Sequence, residues 1–338
     1  MKIIIPIIAA VVAYAISFGL GYWAIPYLKK LKFGQTILDD GPAWHKSKQG
    51  TPTMGGILIA FGMLAGFIAS IGLAVLLKTD FANGIHLKTS SVILGIGLAL
   101  GFGFIGFLDD YIKVVKKRNL GLTALQKTVL QMLVAVIYLS GLAFSGMTTT
   151  WIPFLGDVDI TSSFGLLFWP IALMFIYGFN NAVNLTDGVD GLATSVTVVV
   201  SAVFIVAAEL LGFSMVTIFA SSVVGALVGF LMWNKHPAKI FMGDTGSLFL
   251  GGCVIGLAFA IGRPILLIFA GIIYLVEAFS VILQVAYFKK TGKRIFKMSP
   301  LHHHFEKCGW SENKIVVVFS IVSVIGGIVA LLPIILNW

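Results

Sequence analysis

Residues 3–28 read IIIPIIAAVVAYAISFGLGYWAIPYL, a run of 26 residues without a charged side chain. About 20 apolar residues are enough for a helix to cross the hydrocarbon core of a bilayer. Residues 13–15 (AYA) resemble a signal-peptidase site, but the apolar run continues well beyond them and stops only at Lys29. The stretch therefore predicts a first membrane-spanning helix that is retained in the protein.

The same apolar character extends over the whole chain of 338 residues. Of these residues 58% are hydrophobic and only 11% are charged, whereas about 25% are charged in ordinary soluble domains. The mean hydropathy is +1.01, and the 38 glycines are compatible with membrane helices, which tolerate glycine. These figures exclude a water-soluble fold and indicate several membrane spans.

About ten stretches are long enough to cross a bilayer. The spans are predicted at residues 3–28, 54–77, 90–108, 128–147, 166–183, 191–211, 214–233, 247–262, 264–287 and 315–336. No repeat or long hydrophilic segment separates them, so we predict an all-α integral membrane protein with one domain over residues 1–338. The two cysteines, Cys253 and Cys308, lie in such different surroundings that we expect no disulfide framework.

The formal net charge of +9 is explained by membrane topology. When successive connections are assigned to opposite sides, 19 of the 23 Lys and Arg residues fall on one side. The positive-inside rule makes that side cytoplasmic and, with an even number of spans, leaves both termini outside. We therefore expect membrane lipids, and no nucleic acid, as the partners of this basic chain.

Two adjacent aspartates, Asp109 and Asp110, lie where the third span reaches the inner boundary, in the sequence FLDDY (residues 107–111). Ionisable groups at this depth are costly and mark candidate functional sites. Neighbouring residues on a helix point about 100° apart, so we expect one aspartate to face the reacting centre and the other to orient or bind. The alternative is an ordinary interfacial cap.

Further acidic residues at the same boundary favour a metal site. Asp187 and Asp190 lie in the glycine-rich stretch NLTDGVDGLA (residues 184–193), and Asp244 lies in FMGDTGS (residues 241–247). Glycines let the backbone approach a ligand, and clustered carboxylates suit Mg²⁺, which usually holds a substrate phosphate as well. The alternative is a set of unrelated caps and turns, since Asp-Gly pairs are common in turns.

The last inner connection carries three successive histidines in PLHHHFE (residues 300–306), after a basic run that membrane topology alone would also explain. Their spacing is not that of a zinc site, so phosphate contact or acid–base work suits them better. Lys48 precedes the glycine-rich GTPTMGG (residues 50–56), where a lysine can meet a diphosphate, although the Walker spacing is absent. Glu277, deep in the ninth span, either belongs to the site or only joins helices by hydrogen bonds.

Five motifs together resemble the phospho-N-acetylmuramoyl-pentapeptide transferase family, within the polyprenyl-phosphate N-acetylhexosamine-1-phosphate transferase superfamily. They are GTPTMGG, FLDDY, NLTDGVDGLA, FMGDTGS and PLHHHFE, in order from the first inner connection to the last. Val189 stands where the family often has leucine, which is a mild change. The triple histidine and GTPTMGG favour this family over the branch that transfers N-acetylglucosamine phosphate.

The resemblance implies a ten-helix, Mg²⁺-dependent glycosyl-1-phosphate transferase, usually a homodimer, in the bacterial cell membrane. On the cytoplasmic side it would transfer phospho-MurNAc-pentapeptide from UDP-MurNAc-pentapeptide to undecaprenyl phosphate, releasing UMP and forming lipid I. This is the first membrane step of peptidoglycan biosynthesis, on which the cell wall, cell shape and cell division depend.

By motif, the family's functional positions fall on residues that the chain spreads over five inner connections. The catalytic positions would be Asp109, Asp110, Asp244 and His302, with Asp244 as the metal ligand. The substrate-binding positions would be Lys48, Thr53, Lys113, Asn184, Asp187, Gly188, Asp190, Asn234, Phe241, Gln284, His303 and His304.

Two mechanisms are compatible with these residues. In the one that we favour, the lipid phosphate attacks the phosphorus bearing the sugar, Asp109 orients or deprotonates it with support from Asp110, and Lys48 and Lys113 offset developing charge. His302 would act by positioning the diphosphate. In the other mechanism an aspartate becomes a covalent nucleophile and two displacements follow.

Two other functions are compatible with parts of the same sequence. One is transfer of GlcNAc-1-phosphate from UDP-GlcNAc to a polyprenyl phosphate, which uses the same superfamily chemistry. The other is secondary transport, because transporters also carry intramembrane acids and glycine-interrupted spans. Transporter sites lie near the membrane midplane and often between two related halves, whereas these acids lie at one boundary and no half-repeat is visible in the sequence.

Overall fold

The computed structural model describes residues 3–30, 48, 50–77, 89–115, 121–163 and 165–336. Within these ranges ten helices are long and apolar enough to cross a membrane, which confirms the predicted number of spans. They are α1 (Ile4–Lys30), α2 (Gly56–Leu76), α3 (Thr89–Val115), α4 (Ala124–Phe144), α5 (Phe168–Thr186), α6 (Leu192–Leu210), α7 (Ser214–Asn234), α8 (Gly243–Ala260), α10 (Ile272–Thr291) and α12 (Glu312–Ile335). Two short helices, α9 (Leu266–Ala270) and α11 (Leu301–Lys307), lie in the connections around α10.

The functional helices extend beyond the predicted spans. α3 continues past residue 108 and carries both Asp109 and Asp110 within its helical part, and α8 begins at Gly243, so Asp244 lies in its first turn. Hydropathy marks only the part of a helix that lies in lipid, whereas backbone hydrogen bonding continues into the polar interface. The ninth span also differs from the prediction, because Gly271 separates α9 from α10.

The connection after α4 contains a two-stranded antiparallel hairpin that no pattern in the sequence predicts. β1 (Thr149–Ile152) pairs with β2 (Gly156–Asp159). The backbone amide of Trp151 donates a 3.0 Å hydrogen bond to the Gly262 carbonyl, which attaches the hairpin to the end of α8. Strands of four residues carry too little periodicity to be recognised in the sequence.

α8 lies at the centre of the bundle, with almost every residue buried, and its most extensive partner is α3. The two helices approach closely through glycine: a Cβ atom on Gly95 would lie 3.0 Å from the Cα atom of Gly256. Nearer the site, a Cβ atom on Gly106 would collide with the carbonyl oxygen of Asp244. Small residues allow such close helix packing, which here brings the end of α3 against the start of α8.

The motif-bearing ends of several helices meet at one end of the bundle. Lys127 in the first turn of α4 and Asn184 in the last turn of α5 both bond to Asp244 in the first turn of α8. The placement of this end on the cytoplasmic side stays a prediction. Both chain termini, predicted to lie outside, are among residues 1–2 and 337–338, which fall outside the described residues.

Candidate active site

Three carboxylates from two helices meet where α3 ends and α8 begins. They belong to Asp109, Asp110 and Asp244, and one oxygen atom from each lies within 4.8 Å of the others. We refer to these three residues as the acidic cluster. Asp109 and Asp110 are each only 3% exposed. Carboxylate oxygens that converge in this way offer the hard ligands that a divalent cation such as Mg²⁺ prefers.

Two lysines neutralise part of the charge of the acidic cluster. The Lys113 ammonium lies 2.6 Å from the Asp109 carboxylate and 3.0 Å from that of Asp244. The Lys127 ammonium lies 3.1 Å from Asp244. The start of α4 is fixed by a capping box and by the Leu122 amide, which donates a 2.8 Å hydrogen bond to Asp109. Asp244 therefore lies between two cations that could also contact phosphate oxygens.

Asp110 has different partners from its neighbour Asp109. Its carboxylate accepts hydrogen bonds from the backbone amide of Thr245 (2.9 Å) and from the Thr245 hydroxyl (2.7 Å). It also accepts a longer hydrogen bond, 3.3 Å, from the amide of Asp244. A carboxylate at the start of a helix satisfies amides that have no partner within the helix. Asp110 thus fixes the first turn of α8, while Asp109 faces the lysine.

The GTPTMGG segment lies directly against the FMGDTGS segment. The Phe241 amide donates to the Pro52 carbonyl (2.8 Å), and the Gly55 amide donates to the Phe241 carbonyl (2.9 Å). Gly243 has a φ of +69°, and a Cβ atom there would lie 2.5 Å from the Thr53 hydroxyl oxygen. Only glycine fits this close, left-handed position. The pairing places Thr53 beside the acidic cluster.

The last turn of α5 and the residue after it lie beside the acidic cluster. The Asn184 side-chain amide donates hydrogen bonds to Asp244 (2.8 Å) and to the Ser247 hydroxyl (2.7 Å). Burial raises the pKa of Asp187 well above its ordinary value, and the charges of Asp244 and Asp110 raise it further. Asp187 is therefore within electrostatic range of the acidic cluster, and a bound cation would relieve this repulsion.

A second charged cluster forms around Lys48. Its ammonium lies 2.7 Å from Asp190 and 2.7 Å from Glu312, and His236 Nδ1 lies 3.1 Å from Asp190. The Glu312 carboxylate also accepts a 3.0 Å hydrogen bond from the Asp190 amide. In the described part of the chain, no ion pair joins Lys48 to the acidic cluster. Lys48 and Asp190, each predicted to bind substrate, thus contact each other in a cluster of their own.

His302 is enclosed by two other predicted elements. It is 1% exposed, and its Nδ1 atom lies 3.2 Å from the Glu277 carboxylate. On the other side of the ring, a Cβ atom on Gly188 would collide with Nε2. The motifs NLTDGVDGLA and PLHHHFE therefore meet at this imidazole.

Four predicted substrate-binding side chains have their polar atoms engaged by nearby protein groups. They are Asn234, Gln284, His303 and His304. Asn234 joins the Thr194 hydroxyl to the Ile240 carbonyl, and Gln284 holds the backbone of residues 295–296. Each histidine is bonded within its own connection. These contacts support the shape of the loops, and a direct role in binding stays a prediction.

Lys127 and Glu312 contact the site residues but belong to none of the five motifs. Each lies in the first turn of a helix whose cap is visible in the sequence, at Thr123 for α4 and Ser311 for α12. The capping signals fix where these helices start and therefore place both charged residues at the motif-bearing end. Their partners, however, come from distant segments that no local pattern predicts.

Comparison with known proteins gives concordant results. The glycosyl transferase family 4 pattern matches residues 92–262, and phospho-N-acetylmuramoyl-pentapeptide-transferase signature 1 matches residues 48–59. A phospho-N-acetylmuramoyl-pentapeptide-transferase of Heliobacterium modesticaldum is 46% identical over 96% of this chain and 98% of its own length. Proteins with the same name from Clostridium perfringens strain 13 (46% identity, 94% and 95% coverage) and Halalkalibacterium halodurans (42%, 96% and 96%) are similarly related.

Proposed function

The chain belongs to the phospho-N-acetylmuramoyl-pentapeptide transferase family, and we propose that it transfers phospho-MurNAc-pentapeptide from UDP-MurNAc-pentapeptide to undecaprenyl phosphate, forming lipid I and UMP. It is a multi-pass membrane phosphotransferase. The observation that carries the proposal is the convergence of the acidic cluster with Lys113 and Lys127 at helix ends. Phosphoryl transfer needs little more from a protein than positioned charge.

The acidic cluster suits Mg²⁺ as the cofactor. Its converging oxygens come from three carboxylates, and two ammonium groups offset only part of the charge. Asp244 would be the main ligand, since it lies in the middle of this arrangement. When bound, Mg²⁺ would neutralise pyrophosphate charge and polarise the phosphorus–oxygen bonds. Magnesium usually keeps several waters and holds a substrate phosphate, so a partly open carboxylate site fits it.

The remaining groups would orient the substrates and balance charge. Lys113 and Lys127 are paired with the Asp244 carboxylate. If that carboxylate bound a cation instead, both ammonium groups would be placed to contact the diphosphate. Asp109 would orient the undecaprenyl phosphate or accept its proton, and Asp110 would hold the start of α8 for Asp244. A covalent aspartyl intermediate is the competing scheme, and rapid-quench trapping of a phospho-MurNAc adduct on the enzyme would establish it.

The second cluster would serve the nucleotide end of the donor. Lys48 and Asp190 supply a cation and a carboxylate next to the NLTDGVDGLA loop, which reaches from Asn184 at the acidic cluster to Asp190. Because UDP-sugars are cytoplasmic and the polyprenyl tail stays in lipid, the site belongs at the cytoplasmic boundary of the bacterial cell membrane. A homodimer is proposed from the family resemblance alone.

Release of UMP by the purified protein tests this function. In detergent, with UDP-MurNAc-pentapeptide, undecaprenyl phosphate and Mg²⁺, we expect UMP to form, and we expect none when the polyprenyl phosphate is omitted or the metal is chelated. A transporter would release no UMP under any of these conditions, because detergent leaves no compartments. A preference for UDP-GlcNAc as donor would favour the GlcNAc-1-phosphate alternative instead.

A further inference from the structure

A fully buried carboxylate lies inside the helix bundle and does not belong to the acidic cluster. Glu277 on α10 is 0% exposed. A buried, membrane-embedded acid is costly and needs partners. Its carboxylate accepts hydrogen bonds from the backbone amides of Leu301 (2.7 Å) and His302 (3.2 Å). Glu277 therefore holds the point at which the PLHHHFE segment enters α11.

The same face of α10 holds this connection at a second point. Gln284, two turns further along, accepts hydrogen bonds from the amides of Ile295 and Phe296, each 3.0 Å. Glu277 and Gln284 are both buried on α10. The connection from α10 to α11 is thus attached to one helix face at both of its ends, so the position of His302 depends on α10.

Glu277 also approaches the side chain of His302. One carboxylate oxygen lies 3.2 Å from Nδ1, while Gly188 closes over Nε2 on the opposite edge of the ring. Glu277 and Gly188 therefore confine the imidazole from both sides.

We propose that Glu277 is a positioning residue for transfer: it acts through His302, whose backbone and imidazole it fixes against the Gly188 turn. The inference rests on the proposed function, because it is read out as transferase activity. Because Glu277 orients His302 and does not itself contact the substrate, its loss should lower turnover more than donor binding.

A double-mutant cycle between Glu277 and His302 tests this proposal. UMP release would be measured for the wild type, Glu277→Gln, His302→Ala and the double variant. Glu209→Gln is the matched control, because Glu209 is an exposed carboxylate near the C-terminal end of α6. We expect Glu277→Gln to lower kcat about 10-fold or more while the KM for the donor changes less than about threefold. The control should keep wild-type kcat.

The cycle separates action through His302 from a general structural effect. If the proposal is right, the double variant turns over within about twofold of His302→Ala, because the second substitution removes nothing further. Wild-type kcat in Glu277→Gln, or losses that multiply in the double variant, would overturn it. If Glu277→Gln is not recovered folded, Glu277→Asp takes its place with the same two outcomes. An inactive wild type would instead refute the proposed function.

Discussion

Asp244→Asn is expected to lower kcat by about 10³-fold or more, with a much smaller change in the KM for the donor. The substitution keeps the shape of the side chain and its contact with Asn184 but removes the charge at the centre of the acidic cluster. Lys113 and Lys127 lose their shared partner, and a divalent cation loses its main ligand. Steady-state UMP release over a range of Mg²⁺ concentrations measures the effect.

Asp157→Asn is the matched control for this experiment. Asp157 is an exposed carboxylate on β2, at the other end of the bundle, and its removal should leave kcat unchanged. Both variants should elute as monodisperse protein in detergent. If Asp244→Asn turned over within about threefold of the wild type at saturating Mg²⁺, the acidic cluster would not be the catalytic metal site.

Gly106→Ala is expected to lower kcat by about 10²-fold, although the side chain that it adds is chemically inert. A Cβ atom at position 106 collides with the carbonyl oxygen of Asp244, so α3 and α8 must separate where their carboxylates meet. A displacement of about 1 Å in a catalytic site can cost about this much. The variant should also unfold at a lower temperature, which a thermal melt in detergent measures.

Gly97→Ala isolates this local effect from a change in helix propensity. Gly97 lies on the same helix, and no atom lies within 4 Å of a Cβ atom placed there. We expect wild-type kcat and an unchanged or slightly higher melting temperature, because alanine is the better helix former. Equal losses in the two variants would show that α3 does not position the cluster through close packing with α8.

The number of membrane-spanning helices can be predicted from the sequence, because each span is a long run of apolar residues. The apolar stretches predict ten spans on that basis, and the residues that the structure describes contain ten such helices. The end of α3 and the start of α8 lie beyond the predicted spans, since the acids and glycines there lower the local hydropathy. The hairpin of β1 and β2 was missed because its strands are shorter than a recognisable pattern.

The candidate site is only partly readable from the sequence. Asp109, Asp110 and Asp244 stand out because charges at a membrane boundary are rare, and the fold brings them together. Lys48 stands out because it precedes the glycine-rich GTPTMGG, yet its contacts with Asp190 and Glu312 depend on how three segments pack, which sequence spacing does not reveal.

The most direct test of the central claim is to locate a divalent cation in crystals of the protein soaked with Mn²⁺, which scatters anomalously. We predict one strong anomalous peak at about 2.1 Å from the Asp244 carboxylate, within reach of Asp109 or Asp110, in the position of Mg²⁺. A peak confined to Asp190, His236 and Glu312, or no peak in crystals of protein that Mn²⁺ activates, would contradict the claim.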